Sequence, residues 1–283
     1  MKIGILTLRL FKNYGGILQN YALSRFLQKN GYDVETINIV WSYQLNGVKK
    51  YFVWLKRLVR NMLIGKWYSL DEEKILRNNE LVAAQRVNAF KEKNIPLSQK
   101  VYSLPGADFS DISNKYDTII VGSDQVWRPK YTGGIEKYFL SFADNRIKKI
   151  AYSASFGTDK NEYSFYEKWV CGKLIKRFDA ISVREESAIS LIREQLHWDV
   201  DVIQTLDPTM LLDITDYKSL VGQVVNNNKI FVYILDSSVQ KISFVEKLEK
   251  VLCMPGFTIT PKGMDNKSAY VMPVSYTHLR AHE

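Results

Sequence analysis

The stretch Lys2-Ile3-Gly4-Ile5-Leu6-Thr7-Leu8 opens the chain as an apolar run that is typical of a buried strand. After a loop, apolar residues recur at helical spacing from Ile17 to Leu27, and Asn30-Gly31 then stops the helix. Val34-Glu35-Thr36-Ile37-Asn38-Ile39-Val40 forms the next strand. A strand, a helix and a strand in such close succession form a βαβ crossover, which predicts a parallel sheet.

The same alternation continues downstream. Further strands are predicted at 116–121, 147–152, 180–183 and 200–203, and further helices at 161–177 and 185–196. We therefore predict an α/β protein whose first domain is Rossmann-like and spans residues 1–225, with a helical insertion at about 48–93.

A polar break, Asn226-Asn227-Asn228, precedes a second start. A strand at 229–235, a helix at 239–252 and a short strand at 257–259 predict the opening of another Rossmann-like domain, at 226–274. One βαβ unit cannot cover both faces of its own sheet, so we expect this second domain to be incomplete. Residues 275–283 continue no periodic pattern, and we expect them to be a non-native tail.

Composition excludes several classes of protein. The 283 residues are 46% hydrophobic and 13% aromatic, which is enough to build a core and excludes disorder as the main state. The two cysteines, Cys171 and Cys253, form neither a CxxC motif nor a disulfide framework. No signal peptide and no run of about 18 apolar residues is present, so a cytoplasmic location is expected.

The formal charge of +9 is concentrated in the first third of the chain. Residues 1–100 hold 17 Lys/Arg and 7 Asp/Glu, and residues 48–68 alone carry six basic residues and no acidic one. This segment is either an interfacial helix on the inner face of an anionic membrane or a packed helix with a solvated basic face. No nucleic-acid-binding motif accompanies the charge, so no nucleic-acid partner is expected.

Polar and small residues follow several strands at their carboxyl ends, where an open α/β sheet binds its ligands. Gly15 and Gly16 begin a helix, so they either let backbone N–H groups hold an anion or simply form a tight turn. The pattern is neither GxGxxG nor a P-loop, so a dinucleotide or nucleoside triphosphate site is not indicated. The segments are Asn13-Tyr14-Gly15-Gly16, Gly122-Ser123-Asp124-Gln125-Val126-Trp127, Ser153-Ala154-Ser155-Phe156-Gly157, Arg184-Glu185-Glu186 and Asp207-Pro208-Thr209.

Two side chains after the third strand have alternative interpretations. Asp124 either bonds sugar hydroxyls or acts as a base, or it caps a helix after Gly122. Trp127 either stacks on a sugar ring or packs in the core. The isolated His197 is more typical of a structural residue, and no His/Cys/Asp cluster has metal-ligand spacing.

Two further side chains follow later strands. Arg184 either pairs with a carboxylate or phosphate of a ligand, or forms a salt bridge to Glu185 or Glu186. Asp207 either faces the ligand or only shapes the turn at Pro208.

Four motifs lie in order along the chain: Asn13-Tyr14-Gly15-Gly16-Ile17-Leu18-Gln19-Asn20-Tyr21-Ala22-Leu23, Val121-Gly122-Ser123-Asp124-Gln125-Val126-Trp127, Ser182-Val183-Arg184-Glu185-Glu186-Ser187-Ala188 and Leu206-Asp207-Pro208-Thr209-Met210-Leu211-Leu212. Together they resemble the polysaccharide pyruvyl transferases over residues 1–260. The resemblance implies two Rossmann-like halves facing across a cleft, as in the GT-B glycosyltransferases, with the second half incomplete here.

The resemblance also implies a reaction. An enolpyruvyl unit would pass from phosphoenolpyruvate to two hydroxyls of a polysaccharide or lipid-linked oligosaccharide, giving a cyclic ketal without metal or organic cofactor. In this family the donor-binding basic residues and a catalytic His lie in the C-terminal half, so we expect this chain alone to have little or no activity. Acceptor-side or cleft-lining roles are implied for Asn13, Tyr14, Gly16, Gln19, Asp124, Gln125, Arg184 and Asp207.

Two other functions remain open on the sequence. The first is a GT-B glycosyltransferase, which would use a nucleotide sugar in place of phosphoenolpyruvate. The second is a non-enzymatic module that docks to an anionic membrane through residues 48–68.

Overall fold

The computed structural model describes residues 1–11, 13–41, 87–103, 109, 112, 114–221, 228–234 and 238–257. By its internal contacts the chain divides into two compact units, Met1–Leu212 and Asp213–Glu283. The predicted boundary after residue 225, the basic segment 48–68 and the predicted tail at 275–283 all lie outside the described residues. Of the predicted insertion, only its end is described, where residues 87–94 are helical.

The first unit is built on a seven-stranded sheet in which every neighbouring pair of strands is parallel. The strands are β1 (Lys2–Leu6), β2 (Asp33–Trp41), β3 (Leu97–Ser103), β4 (Thr118–Val121), β5 (Lys148–Ala154), β6 (Ala180–Val183) and β7 (Ile203–Gln204). Their order across the sheet is β3-β2-β1-β4-β5-β6-β7, so the winding reverses between β1 and β4. The predicted α/β class and parallel sheet are confirmed, and such a reversal opens a crevice at the carboxyl ends of the strands.

Helices connect the strands. Besides the helical residues 87–94, those with both ends described are α1 (Tyr14–Lys29), α2 (Pro129–Thr132), α3 (Phe165–Ile175), α4 (Glu186–Ser190), α5 (Ile214–Lys218) and α6 (Val239–Leu252). There are also 3₁₀ turns at Ile135–Phe139 and Pro208–Met210 and a π turn at Leu191–Gln195. Helix α1 begins where it does because the Asn13 side chain accepts the Gly16 N–H, as an N-cap should. A complete capping box between Ser164 and Glu167 likewise fixes the start of α3.

Both faces of the large sheet are covered. Because side chains alternate along a strand, Ile5 and Ile120 point to one face, where they pack with Leu23 of α1. Their neighbours Leu6 and Val121 point to the other face and join the larger cluster. That cluster holds the fully buried rings of Trp127, Phe139 and Phe156.

Two strands differ from expectation. β3, Leu97–Ser103, is not indicated by apolar periodicity, because its sequence is mostly polar and it pairs only with β2 at the sheet edge. β7 was expected at 200–203 but occupies only Ile203–Gln204, because it meets β6 over two residue pairs. An edge strand needs little apolar surface, so its sequence signal is weak.

The second unit contains a parallel pair, β8 (Ile230–Phe231) and β9 (Gly256–Phe257), joined through α6. The predicted strand, helix and strand are therefore present, with strands shorter than expected among the described residues. In the described part of the chain, no helix is both long and apolar enough to cross a membrane.

Candidate functional site

The N-terminus of α1 faces the turn after β4 through a direct contact. Asn13, the N-cap of α1, uses Oδ1 to accept the Gly16 N–H (3.2 Å) and Nδ2 to donate to Asp124 Oδ2 (3.1 Å). The other carboxylate oxygen of Asp124 accepts the Gln125 N–H (2.8 Å). The first predicted segment is thus joined to the second across 111 positions of sequence.

Gly16 leaves room for this close approach. A Cβ at residue 16 would lie 2.8 Å from Asp124 Oδ2 and 3.1 Å from Asn13 Nδ2, inside normal contact distance. Gly15 is less confined, since a Cβ there would meet only Asn13 Oδ1, at 3.3 Å. Both glycines lie in the first turn of α1, where the Gly16 N–H already donates to the Asn13 side chain.

Asp124 has an altered proton affinity. Burial raises its pKa, and the charge of Asp207 adds to the rise. The Gln125 N–H, the Arg184 charge and the Asn13 amide each lower the pKa. The balance holds the pKa above the ordinary value for aspartate. No helix begins at this residue, so the alternative that it is an N-cap is wrong.

A second hydrogen-bonded group joins α1 to the segment after β7. Gln19 Nε2 donates to Asp207 Oδ2, and the other oxygen of Asp207 accepts from the N–H (3.0 Å) and hydroxyl (2.7 Å) of Thr209. Asp207 therefore caps the 3₁₀ turn that begins at Pro208, as the structural interpretation holds, and also contacts α1. Gln19 Oε1 is buried without a hydrogen-bond partner among the described residues.

Arg184 connects this group to the ends of β5 and β6. Its Nη1 lies 3.6 Å from Asp207 Oδ2, and its Nη2 lies 2.7 Å from Glu185 Oε1. The same guanidinium donates to Ser155 Oγ (3.2 Å), while that hydroxyl donates to Glu185 Oε1 (2.7 Å). The predicted salt bridge to Glu185 is present, and it leaves Arg184 only loosely paired with Asp207.

Gln125 and Tyr14 border these two groups. Gln125 Oε1 accepts a long hydrogen bond from Arg128 (3.4 Å), and a Cβ at Gly157 would come within 2.3 Å of Gln125 Cδ. Gly157 has φ +64°, so glycine is needed there for both reasons. Tyr14 is 54% exposed at the first position of α1 and lies outside both hydrogen-bonded groups in the described structure.

Trp127 and His197 lie outside the two hydrogen-bonded groups. Trp127 is fully buried, stacks on Phe139 with ring centroids 5.0 Å apart, and donates its indole N–H to Tyr138 O. It is a core residue, and stacking on a sugar is excluded. His197 has φ +54° and follows the π turn after α4, apart from the predicted site residues.

Three contributors were not among the predicted site residues. Ser155 and Glu185 lie in the segments after β5 and β6 and hold Arg184. Lys91 donates to Leu10 O (2.6 Å) and so fixes the loop after β1, and burial together with the Arg9 charge lowers its pKa. Position after a strand is a signal for the first two residues, whereas nothing in the sequence around Lys91 indicates its contact.

Among the described side chains of the two hydrogen-bonded groups and the residues that hold Arg184, carboxyl groups outnumber guanidinium groups. Three carboxyl groups, those of Asp124, Glu185 and Asp207, surround the single guanidinium of Arg184. Carboxylates and amides are good partners for neutral hydroxyl groups and poor ones for a phosphate. No group of three His, Cys, Asp or Glu residues within the described ranges is arranged to hold a metal ion.

Comparisons with known proteins agree with this architecture. A family model for polysaccharide pyruvyl transferases matches residues 13–254 of the chain. Among solved structures, an alpha-glucosyltransferase in complex with UDP and a 13-mer DNA containing a HMU base aligns with a TM-score of 0.50 and 13% identity. The alignment covers 95% of this chain and 59% of that structure, so the chain spans little more than half of its length. No curated protein matches the sequence. At this identity the structural likeness supports a GT-B-like fold and nothing further.

Proposed function

The chain belongs to the polysaccharide pyruvyl transferase family, and we propose that it forms the acceptor-binding part of an enzyme that transfers a pyruvyl group from phosphoenolpyruvate to a sugar. The acceptor would be a polysaccharide or a lipid-linked oligosaccharide with two hydroxyls close enough to form one cyclic ketal. The donor would be the only other substrate, with no metal or organic cofactor.

The observation that carries this proposal is the hydrogen-bonded edge around Asp124 and Asp207. Both carboxylates are held by fixed donors from α1, Asn13 for one and Gln19 for the other. A sugar diol would donate to these carboxylates and accept from amide N–H groups.

The reaction needs two additions at the same carbon. Protonation of C3 of phosphoenolpyruvate gives an oxocarbenium-like C2, and the first sugar hydroxyl adds there. Loss of phosphate regenerates the cationic centre, and the second hydroxyl adds to close the ketal. The two hydroxyls release two protons; one balances the proton taken up at C3, and the other leaves with the phosphate.

Asp124 is suited to accept a hydroxyl proton. Its raised pKa makes it a better base than an ordinary aspartate, and its carboxylate is oriented by Asn13 and the Gln125 N–H. Arg184 would lie toward the anionic donor, because its contact with Asp207 is long and a carboxylate or phosphate can replace it.

The test is phosphate release from phosphoenolpyruvate by the complete enzyme that contains this chain. Methyl glycosides of glucose, galactose and mannose serve as acceptor probes. With the best of them, Asp124→Asn should lower kcat by about a hundredfold or more, as expected for loss of a general base.

The matched control is Asp144→Asn, an exposed carboxylate that pairs with Arg146 (2.6 Å) outside the site. It should leave the rate unchanged. Nucleoside diphosphate release from a nucleotide sugar, with no phosphate release from phosphoenolpyruvate, would show a glycosyltransferase and overturn the proposal.

A further inference from the structure

Helix α3, Phe165–Ile175, carries apolar side chains on two opposite faces. Cys171 and Ile175 are fully buried in the core of the first unit. Phe165 is 89% exposed, although it belongs to the same helix. A helix that is apolar on both faces normally has a partner on each, and in the described structure only the inner face of α3 has one.

The exposed side chains of α3 form one continuous surface. Phe165, Trp169 and Lys173 follow one another at four-residue spacing, and Tyr166, 71% exposed, lies beside them. Lys173 Nζ lies 3.7 Å from the centroid of the Trp169 ring, in cation–π contact. We call these four residues the aromatic–lysine face.

The charge of this face is positive. Lys173 belongs to it, and the exposed Lys176 caps the end of the same helix. The one acidic residue of α3, Glu167, is turned to the helix start, where it accepts from the N–H (2.9 Å) and hydroxyl (2.7 Å) of Ser164. No acidic residue of α3 therefore neutralises the two lysines that lie beside the three exposed aromatic rings.

We infer that the aromatic–lysine face docks on a lipid bilayer that contains anionic lipid. Single exposed apolar residues are ordinary, but three large rings within two helical turns are not. Tyr and Trp rings favour the boundary between water and lipid, and lysine stems extend along apolar surface while the ammonium meets anionic headgroups. The combination of rings with unopposed lysines favours such a bilayer over an apolar protein surface.

The face also lies close to the candidate site along the chain. Glu162, three residues before Phe165, pairs with Arg128 (2.9 Å), and Arg128 donates to Gln125 Oε1. Docking of the first turn of α3 would thus bring a membrane near the border of the site. This inference goes beyond the proposed reaction and does not depend on it, because membrane binding requires no turnover.

The test is sedimentation of the full chain with phosphatidylcholine vesicles, with and without phosphatidylglycerol. The chain should bind the anionic vesicles, and Phe165→Ser with Trp169→Ser should weaken that binding by about tenfold or more, through loss of buried apolar area. Lys173→Glu should weaken binding by about fivefold or more, and only to the anionic vesicles.

The matched control replaces two equally exposed apolar residues of α6, Phe244→Ser with Val251→Ser. This variant should bind like the unmodified chain. Unchanged binding of the α3 variant would overturn the inference and assign the membrane contact to another segment, such as residues 48–68. The inference would also be overturned if, without vesicles, the unmodified chain were a dimer and the α3 variant a monomer, since the face would then bind a second copy.

A second readout avoids reliance on a variant that fails to fold. Tyr166→Cys in a Cys253→Ser background gives one exposed thiol, because Cys171 is buried. A polarity-sensitive fluorophore attached at position 166 should shift to the blue on addition of phosphatidylglycerol vesicles. Absence of that shift overturns the inference even where the chain sediments with vesicles.

Discussion

The two units of the chain use the same strand–helix–strand pattern, but among the described residues only the first has aromatic rings buried in a core. In Met1–Leu212 the large rings of the core are buried between sheet and helices. In Asp213–Glu283 several rings are exposed: Phe231 at 52%, Tyr233 at 55%, Phe244 at 62% and Phe257 at 42%. A sheet buries its side chains only where layers cover both of its faces, and the described part of the second unit places one helix, α6, between β8 and β9.

The same difference explains where the candidate site lies. In the first unit, the ends of five adjacent strands present side chains to a single edge, from Asn13 after β1 to Asp207 after β7. Among the described residues of the second unit, β8 and β9 each have two residues, so two strand ends are available there to converge. A wide covered sheet is what allows distant segments to meet with hydrogen-bond precision.

The largest expected effect comes from removing a buried ring. Trp127→Ala should lower the free energy of unfolding by about 3–5 kcal/mol, because the ring is fully buried and stacked on Phe139. The matched change in the second unit, Phe244→Ala, should cost less than about 0.5 kcal/mol, because that ring is 62% exposed. Urea unfolding followed by circular dichroism measures both. Equal losses in the two variants would contradict the difference in burial between Trp127 and Phe244.

A smaller effect is expected from filling the space beside Asp124. Gly16→Ala places a Cβ 2.8 Å from Asp124 Oδ2 and should weaken acceptor binding by about tenfold, or about 1.4 kcal/mol. Gly15→Ala should bind acceptor normally, since its Cβ has more room. Titration with a methyl glycoside measures the dissociation constants.

The Gln125 amide provides a ligand-free check of the same change. Its N–H donates to Asp124 Oδ1 (2.8 Å), so a displaced carboxylate should shift its NMR resonance in Gly16→Ala and leave it in place in Gly15→Ala. An unmoved resonance in both variants would contradict the role assigned to Gly16.

Acid should weaken the first unit through Glu35. Burial alone would raise the pKa of this carboxyl, but hydrogen bonds from Lys115, Lys2 and Tyr116 outweigh it and lower the pKa to about 2. Because the folded pKa is below the unfolded value of 4.5, the stabilisation is complete above about pH 4.5 and is lost as the pH falls toward 2.

Glu35→Gln should remove that part of the pH dependence. We expect it to cost about 1 kcal/mol at neutral pH, after allowance for solvent screening of the ion pairs, and to lose less stability than the unmodified chain between pH 4.5 and 2. Thermal unfolding over this pH range measures the slope. Identical slopes for the two proteins would show that the Glu35 cluster does not stabilise the first unit.

Most of the parallel sheet could be predicted because buried central strands are apolar. β1 and β4 are continuous apolar runs, and α1 has a clear helical period with Asn30-Gly31 at its end. β3 could not be predicted in the same way, because an edge strand such as Leu97–Ser103 needs pairing with β2 more than it needs apolar residues.

The site was predictable to the level of segments. Each predicted segment follows a strand end, and topology alone brings strand ends together. Which side chains bond, such as Gln19 to Asp207 over 188 positions, depends on side-chain directions that one sequence does not contain. For Trp127 the position after β4 is compatible both with stacking on a sugar and with packing in the core, and the contact with Phe139 shows that it packs in the core.

The smallest expected effect on stability concerns the exposed rings of the second unit. Phe231→Ser with Phe257→Ser removes two rings whose centroids lie 5.4 Å apart, and the free energy of unfolding of the first unit should change by less than about 0.5 kcal/mol. Binding of the dye ANS should fall, because this ring pair is an exposed apolar surface. Lys247→Ser, an exposed polar change in the same unit, should leave dye binding unchanged. Unaltered dye fluorescence in the ring variant would mean that these rings are covered in solution, and the contrast between the two units would then disappear.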